Sequence, residues 1–191
     1  MAYVKNVLKY LKGVKENRLI MRKSSSFDLI GYADASDGTD AEDFKSRSGW
    51  AVMLGGNLLF WRSIVQELQA HSTHESEYMA IDDCVRDMMK VINVVTELRL
   101  DNLLDKPILY SDNSSAVKLT SPERTKDPSR SILKRFHYIK ELVNNGVLTV
   151  KQIKSEDQPA DILTKVLPSP ALRRHLAKFG IGPSLASLQT N

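Results

Sequence analysis

The sequence predicts an α/β fold in which helices cover one mixed β-sheet. Two strand-like segments, 48–54 and 57–61, are joined by two glycines and predict an antiparallel hairpin. A short apolar strand at 107–111 lies between two amphipathic helices, a long one at 73–98 and a second one at 132–143. A strand–helix–strand unit beside a hairpin places parallel and antiparallel neighbours in the same sheet.

Composition favours one soluble domain. The chain has 191 residues, 42% of them hydrophobic, which is enough for one sizeable core and too little for several domains. Its net charge of +4 is compatible with nucleic-acid binding, although any basic surface must come from local clustering. The single cysteine, Cys84, excludes an internal disulfide and a Cys-rich zinc site. No apolar run of about 18 residues and no signal sequence is present, so we expect an intracellular protein, in a cytoplasmic particle or the nucleus.

The first 26 residues predict a short helix and a linker outside the sheet. Apolar residues at helical spacing are Val4, Val7, Leu8 and Leu11. Gly13 is expected to end this helix, and a Lys-Ser-rich stretch separates it from a first strand at 27–35. We therefore expect a helical segment at 1–26, a main domain at 27–168, and a C-terminal helix with a tail at 169–191 that is frayed from Gly182 onward.

The remaining elements follow from capping and proline signals. The long helix is expected to be capped by Ser72 or Thr73. A strand at 147–153 follows the second helix. Pro159 can occupy the first turn of a last helix, with Asp157 as its cap, because the missing N–H would have no helical partner there.

Four acidic residues stand at the ends of these elements. They are Asp34 and Asp112 at strand ends, Glu77 in the first turn of the long helix, and Asp161 in the last helix. If the two strands are neighbours, the carboxylates converge at one edge of the sheet, where α/β folds usually place their sites. Such a cluster needs cations, and oxygen ligands select magnesium or manganese. Two such ions can hydrolyse a phosphodiester. Taken singly, an aspartate after a strand is more often a turn residue or a helix cap, so the surrounding motifs decide.

Five motifs surround these residues in order along the chain. They read GYADA at 31–35, KSRSG at 45–49, THESEY at 73–78, LYSDNSSA at 109–116 and SEDQPADILTK at 155–165. Together they resemble the ribonuclease H domain of copia-type LTR-retrotransposon polyproteins, over roughly residues 28–168. Residues 8–13 also resemble the end of the reverse transcriptase that precedes this domain in the family.

The resemblance implies a fold, an activity and a set of ligands. The fold is a five-stranded mixed sheet, three strands antiparallel and two parallel, flanked by helices. The activity is cleavage of the RNA strand of RNA–DNA hybrids with two Mg²⁺ or Mn²⁺ ions, beside an attached or associated reverse transcriptase. The metal-binding catalytic carboxylates would be Asp34, Glu77, Asp112 and Asp161. Glu75 matches a glutamate that the family often shows but is not the ligand, and helical geometry places it on another face than Glu77.

The sequence departs from the family in several places. Residues 131–133 read Ser-Ile-Leu where His-Ile-Asp is common, Pro159 replaces a usual leucine, and His74 a usual threonine. The loop before Asp161 lacks the histidine that assists product release in cellular ribonucleases H, so slow turnover is expected.

Basic residues near the predicted site are candidate phosphate contacts. They are Lys45, Arg47, Lys126, Arg130, Lys134 and Arg135. For each of them an ordinary solvated surface position is about as plausible. Selection of RNA over DNA requires contacts to 2′-hydroxyl groups, and Asn113 is our candidate for one of them.

Two other functions remain open at this point. One is a catalytically silent or domesticated module that binds nucleic acid or protein. The other is a different metal nuclease or strand transferase on a similar sheet, such as an integrase. Integrases order their carboxylates Asp, Asp, Glu, whereas the order here is Asp, Glu, Asp, Asp, which argues against that alternative.

Overall fold

The computed structural model describes residues 2–36, 45–67, 72–120 and 133–183. In chain order the elements are α1 (Ala2–Val14), β1 (Asn17–Leu19), β2 (Leu29–Ser36), β3 (Arg47–Leu54), β4 (Asn57–Val65), α2 (Thr73–Glu97), β5 (Ile108–Ser111), α3 (Ser114–Thr120), α4 (Leu133–Asn144), β6 (Thr149–Gln152), α5 (Ser169–Lys178) and β7 (Ile181–Pro183). Three short 3₁₀ helices, Asp101–Leu103, Ser155–Asp157 and Pro159–Leu163, complete the described fold. In this part of the chain no helix is long and apolar enough to cross a membrane.

The main sheet has five strands in the order β4-β3-β2-β5-β6. Strand β3 runs antiparallel to β2 and β4, while β5 runs parallel to β2 and β6. The predicted mixed sheet of three antiparallel and two parallel strands is therefore confirmed. The hairpin between β3 and β4 turns at Gly55 and Gly56, whose positive φ angles of 55° and 74° suit a tight two-residue turn.

Helix α2 covers one face of the sheet and supplies much of the larger core. It begins after Ser72, whose side chain accepts a hydrogen bond from the Glu75 backbone N–H, as one of the two predicted caps. Gly31 in β2 lets the helix approach closely. A Cβ at that position would lie 2.6 Å from the sulfur of Met88 and 2.8 Å from that of Cys84.

The other face of the sheet carries a smaller apolar cluster. Tyr32 and Met53 point to this face and pack with Ala160 of the last 3₁₀ helix and with Phe179 after α5. Because side chains alternate along a strand, Asp34 lies on the same face as Tyr32, whereas Ala33 and Ala35 belong to the core beneath α2. The sheet thus has helices on both faces.

The chain ends differ from the expectation in detail. Helix α1 ends at Val14, one residue beyond the predicted stop at Gly13. Strand β1 pairs antiparallel with β7, so Gly182 and Pro183 are ordered in a strand and their predicted fraying is wrong; residues 184–191 lie outside the described residues. Three-residue strands carry no alternation that a sequence pattern could reveal. The proposed domain limits at 26 and 168 stay a prediction.

Candidate active site

Two parallel strands bring two of the predicted carboxylates to one edge of the sheet. Asp34 lies near the end of β2, and Asp112 directly follows β5, its parallel neighbour. Asp161 arrives from the 3₁₀ helix Pro159–Leu163, which packs on β2 and β3. The three aspartates each offer a carboxylate oxygen, and these atoms lie within 4.8 Å of one another. Asp34 is fully buried, and the other two are partly exposed.

Glu77 approaches the same edge from the opposite face of the sheet. Its Oε2 accepts a hydrogen bond of 3.1 Å from the backbone N–H of Ala35, the residue after Asp34. Burial, with the added charges of Asp34 and Asp112, raises the pKa of Glu77 to about 9, while the charge of Lys165 and the hydrogen bond from Ala35 oppose this rise. Glu77 is therefore a neighbour of the three clustered aspartates and not a member of that cluster.

Burial does not show which of the two glutamates, Glu75 or Glu77, belongs to the site, because both side chains are almost inaccessible to solvent. The distinction lies in what surrounds Glu77, which contacts the strand that carries Asp34. This contact agrees with the helical geometry that placed the two glutamates on different faces of α2.

Lys165 and Thr164 also contact the aspartates, and sequence reasoning did not assign either of them to the site. The ammonium of Lys165 lies 3.1 Å from Oδ1 of Asp34 and 2.9 Å from Oδ1 of Asp161. The hydroxyl of Thr164 donates to the second carboxylate oxygen of Asp34. Both residues belong to the motif at 155–165. The spacing of Lys165 four residues after Asp161 was the available signal.

These contacts leave the aspartate cluster short of positive charge. Burial raises the pKa of Asp34 to about 6; the hydrogen bond from Thr164 and the charge of Lys165 oppose this, and the nearby Asp161 adds to it. Burial alone would lower the pKa of Lys165, but the pair with Asp34 and Asp161 raises it. Among the described residues, the ammonium of Lys165 thus contacts two of the four carboxyl groups at the site.

A glycine allows the last 3₁₀ helix to lie against the sheet. Gly49 of β3 stands opposite Asp34, and a Cβ there would lie 2.6 Å from Cγ2 of Thr164 and 2.7 Å from Cβ of Leu163. Such distances are too short for a side chain without movement of this helix. Gly49 therefore sets the distance between Asp34 and the segment that carries Asp161.

The buried Gln158 fixes the start of that 3₁₀ helix. Its amide nitrogen donates to the backbone oxygen of Ala33 at 2.9 Å, and its amide oxygen accepts from the N–H of Ala160 at 3.3 Å. The predicted cap, Asp157, is wrong because that residue ends the preceding 3₁₀ turn. Pro159 does occupy the first turn, as predicted.

Asp112 and Asn113 are held by short polar contacts. The hydroxyl of Ser155 donates to Oδ2 of Asp112 at 2.7 Å. The side-chain oxygen of Asn113 accepts hydrogen bonds from the N–H groups of Ser115 and Ala116, at 3.1 and 3.0 Å. Asn113 therefore caps α3 through its side-chain oxygen, and the contact of its amide nitrogen with a 2′-hydroxyl group stays a prediction.

The candidate phosphate contacts separate into different groups. Lys45 and Arg47 lie at the edge of the sheet that carries Asp34, because Arg47 pairs with Ser36 at the end of β2. Arg135 instead bridges α4 to α2, with its guanidinium 3.1 Å from Asp82 and 3.6 Å from Asp83. Lys126, Arg130, residues 131 and 132, and the side chains of Leu133 and Lys134 lie outside the described residues.

Comparison with known proteins relates the sequence of the chain to transposon polyproteins. Over 178 residues the chain is 30% identical to the retrovirus-related Pol polyproteins from transposons RE1 and RE2 of Arabidopsis thaliana. It is 33% identical over 165 residues to the corresponding polyprotein from transposon TNT 1-94 of Nicotiana tabacum. The chain is a homologue of transposon Pol polyproteins. These matches cover 93% or 86% of this chain and 12% of each polyprotein, and no family model matches the sequence.

The homology confirms the relationship that the five motifs indicated. Solved structures show the fold independently. LC11-RNase H1, solved in complex with an RNA/DNA hybrid, matches with a TM-score of 0.51 at 19% identity, over 71% of this chain and 93% of its own. The N-terminal RNase H domain of a Mycobacterium tuberculosis protein matches with the same score at 13% identity, over 80% and 98%. The Pol-related chain therefore has a ribonuclease H fold.

Proposed function

We propose that this domain is a metal-dependent endonuclease that hydrolyses the RNA strand of RNA–DNA hybrids. The observation that carries the proposal is the group of Asp34, Asp112 and Asp161, whose oxygens lie within 4.8 Å of one another at the edge of a ribonuclease H fold. The homology to Pol polyproteins and the structural similarity to an RNase H1 bound to a hybrid support it. The domain would act in reverse transcription, within or beside a polyprotein product that holds a reverse transcriptase.

The side chains at the site fit a hard divalent cation. All the donors are carboxylate oxygens, which Mg²⁺ and Mn²⁺ prefer. The aspartates already attract the ammonium of Lys165, so the site is suited to hold positive charge. Burial is the main cause of the raised pKa of Glu77, the charges of Asp34 and Asp112 add to it, and the charge of Lys165 opposes it less than either of them adds.

The four carboxylates Asp34, Glu77, Asp112 and Asp161 would hold two ions. When bound, the ions would supply an activated water and stabilise the leaving oxygen of the phosphodiester. The protein's part is to fix the ligands. Thr164 orients Asp34, Ser155 orients Asp112, and the N–H of Ala35 holds the carboxyl group of Glu77.

Substrate contacts would come from the same edge of the sheet. Lys45 and Arg47 lie near the end of β2 that carries Asp34 and would bind phosphates, which position a nucleic acid without reading its sequence. The amide nitrogen of Asn113 would donate to a 2′-hydroxyl group and so favour an RNA strand. Arg135 is already paired with two aspartates, so its contribution to phosphate binding should be small.

Incubation with labelled nucleic acids tests the proposal. A hybrid labelled on the RNA strand should be cut in Mg²⁺ or Mn²⁺ and remain intact with a chelator, and duplex DNA of the same sequence should not be cut. Binding of the hybrid without any cleavage in either metal would favour the silent binding module. Equal affinity for hybrid and duplex DNA at moderate salt would refute the substrate assignment and leave the fold unaffected.

A further inference from the structure

We infer that Lys165 is a built-in counter-ion that competes with divalent metal for Asp34 and Asp161 and so sets the metal affinity of the site. The inference rests on the proposed function, because it assumes that these aspartates are metal ligands. It goes beyond the ligand set, since it gives a role in metal affinity to a residue that is not itself a ligand.

The contacts of Lys165 resemble those of a bound cation. Its Nζ atom bridges Oδ1 of Asp34 and Oδ1 of Asp161 at 3.1 and 2.9 Å, and these residues come from β2 and from the last 3₁₀ helix. The carboxyl group of Asp34 is fully buried, and solvent therefore screens this ion pair less than it screens a surface pair. The ammonium thus links two separate segments of the chain.

A divalent ion on the oxygens that Lys165 contacts would lie close to its ammonium, and the two cations would repel each other. The ammonium donates to one oxygen of Asp34 and to one oxygen of Asp161, and the second oxygen of Asp34 accepts from Thr164. Metal binding therefore either weakens one of these ion pairs or brings two cations close together, and both costs subtract from the binding free energy. The side chain of Lys165 is 39% exposed, so its ammonium can move away from the aspartates into solvent.

Titration of the whole domain with Mn²⁺ in the absence of nucleic acid tests this competition. Electron paramagnetic resonance of free Mn²⁺, at pH 8 and constant salt, gives the affinity directly. Lys165→Met keeps most of the side-chain volume and removes the charge. We expect its first Mn²⁺ to bind about tenfold more tightly, which corresponds to about 1.4 kcal/mol. The metal-free variant should also melt at a lower temperature than the wild type.

A matched variant separates a specific ion pair from a general change in charge. Lys154 lies one residue before Ser155, which contacts Asp112, but its own ammonium is exposed and faces Glu156 at 3.8 Å. Lys154→Met removes the same charge, and its Mn²⁺ affinity should stay within about twofold of the wild type, because exposed pairs contribute little. An equal gain in both variants would refute the competition and indicate a long-range effect of net charge.

A second substitution keeps the test decisive if Lys165→Met does not fold. In Lys165→Arg the guanidinium can make two parallel hydrogen bonds to carboxylates and should compete more strongly, so Mn²⁺ should bind several-fold more weakly than in the wild type. Tighter binding by the arginine variant, or unchanged binding by the methionine variant, overturns the inference. If the wild type cleaves hybrid while these affinities do not differ, the inference alone fails. A wild type that binds no Mn²⁺ overturns the proposed function as well.

Discussion

Substitution of Glu77 by glutamine should remove the contribution of this group to the pH dependence of the stability of the metal-free protein. In the folded protein the pKa of Glu77 is raised to about 9 from an ordinary value of 4.5, with burial as the main cause. Between pH 4.5 and pH 9 the folded protein therefore keeps this carboxyl group protonated, whereas the unfolded chain releases the proton. Its contribution to stability is complete below that pH and is lost as the pH rises toward 9.

The magnitude follows from the difference between the two pKa values. Each pH unit between them corresponds to about 1.4 kcal/mol, so at pH 7.5 the folded wild type loses up to about 4 kcal/mol relative to pH 4.5. Glutamine has no proton to gain or lose, and its amide oxygen can still accept from the N–H of Ala35. The free energy of unfolding of Glu77→Gln minus that of the wild type should thus grow from near zero at pH 4.5 to a few kcal/mol at pH 7.5.

Urea unfolding followed by tryptophan fluorescence is a suitable assay, because Trp50 is buried in the core. The measurements are made with a chelator at several pH values between 4.5 and 8. Glu75→Gln is the control on the same turn of α2 and should not reproduce the trend. A difference between Glu77→Gln and the wild type that does not change with pH would refute the reasoning. In Mg²⁺, Glu77→Gln should cleave hybrid at background rate, whereas Glu75→Gln should retain most activity.

Three further predictions concern the packing, the charge and the substrate side of the site. Gly49→Ala should displace the last 3₁₀ helix and reduce the melting temperature, the Mn²⁺ affinity and the cleavage rate together. The control is Gly13→Ala, whose Cβ would meet nothing within 4 Å, and it should leave cleavage unchanged. Asp34→Asn should fold at least as well as the wild type in chelator and lose cleavage; residual metal-dependent cleavage would contradict the ligand assignment. Arg47→Met should reduce the salt dependence of hybrid binding, so that the slope of log affinity against log salt concentration is smaller by about one. Arg135→Met should lower stability and leave that slope unchanged. Fluorescence anisotropy over a salt series measures the slope.

Elements with a regular pattern were predictable from the sequence. The two glycines of the hairpin located its turn, and the apolar spacing of α2 located that helix nearly to its ends, because both signals are local. The pairing of β1 with β7 was not predictable, since three residues in each strand carry no periodicity. Strand β4 also runs on to Val65, beyond the predicted end at residue 61, through residues that are largely exposed.

The site shows a similar division between local and long-range information. The meeting of Asp34 and Asp112 follows from two strand ends, which the sequence indicated, and from the parallel pairing of β2 with β5, which the sequence analysis left as a condition. The positions of Lys165 and Gln158 depend on the way a 3₁₀ helix crosses β2 and β3, more than 100 residues away along the chain. The partners of Arg135 on α2 are likewise a tertiary contact, and a charged residue near a predicted site carries no sign of such a pair.

The same carboxylates that would bind metal should make the protein unstable without it. Asp34 and Glu77 are buried with raised pKa values, and Lys165 offers the only ammonium that contacts Asp34 or Asp161 among the described residues. A ligand that binds only the folded state stabilises it by an amount that grows with the logarithm of its concentration. Mn²⁺ should therefore raise the melting temperature of the wild type in proportion to that logarithm. Asp34→Asn relieves the repulsion and removes a ligand. Its melting temperature without Mn²⁺ should therefore be higher than that of the wild type and should change little when Mn²⁺ is added. If the two proteins gain equal stability from Mn²⁺, the ion binds elsewhere and the aspartate cluster is not the metal site.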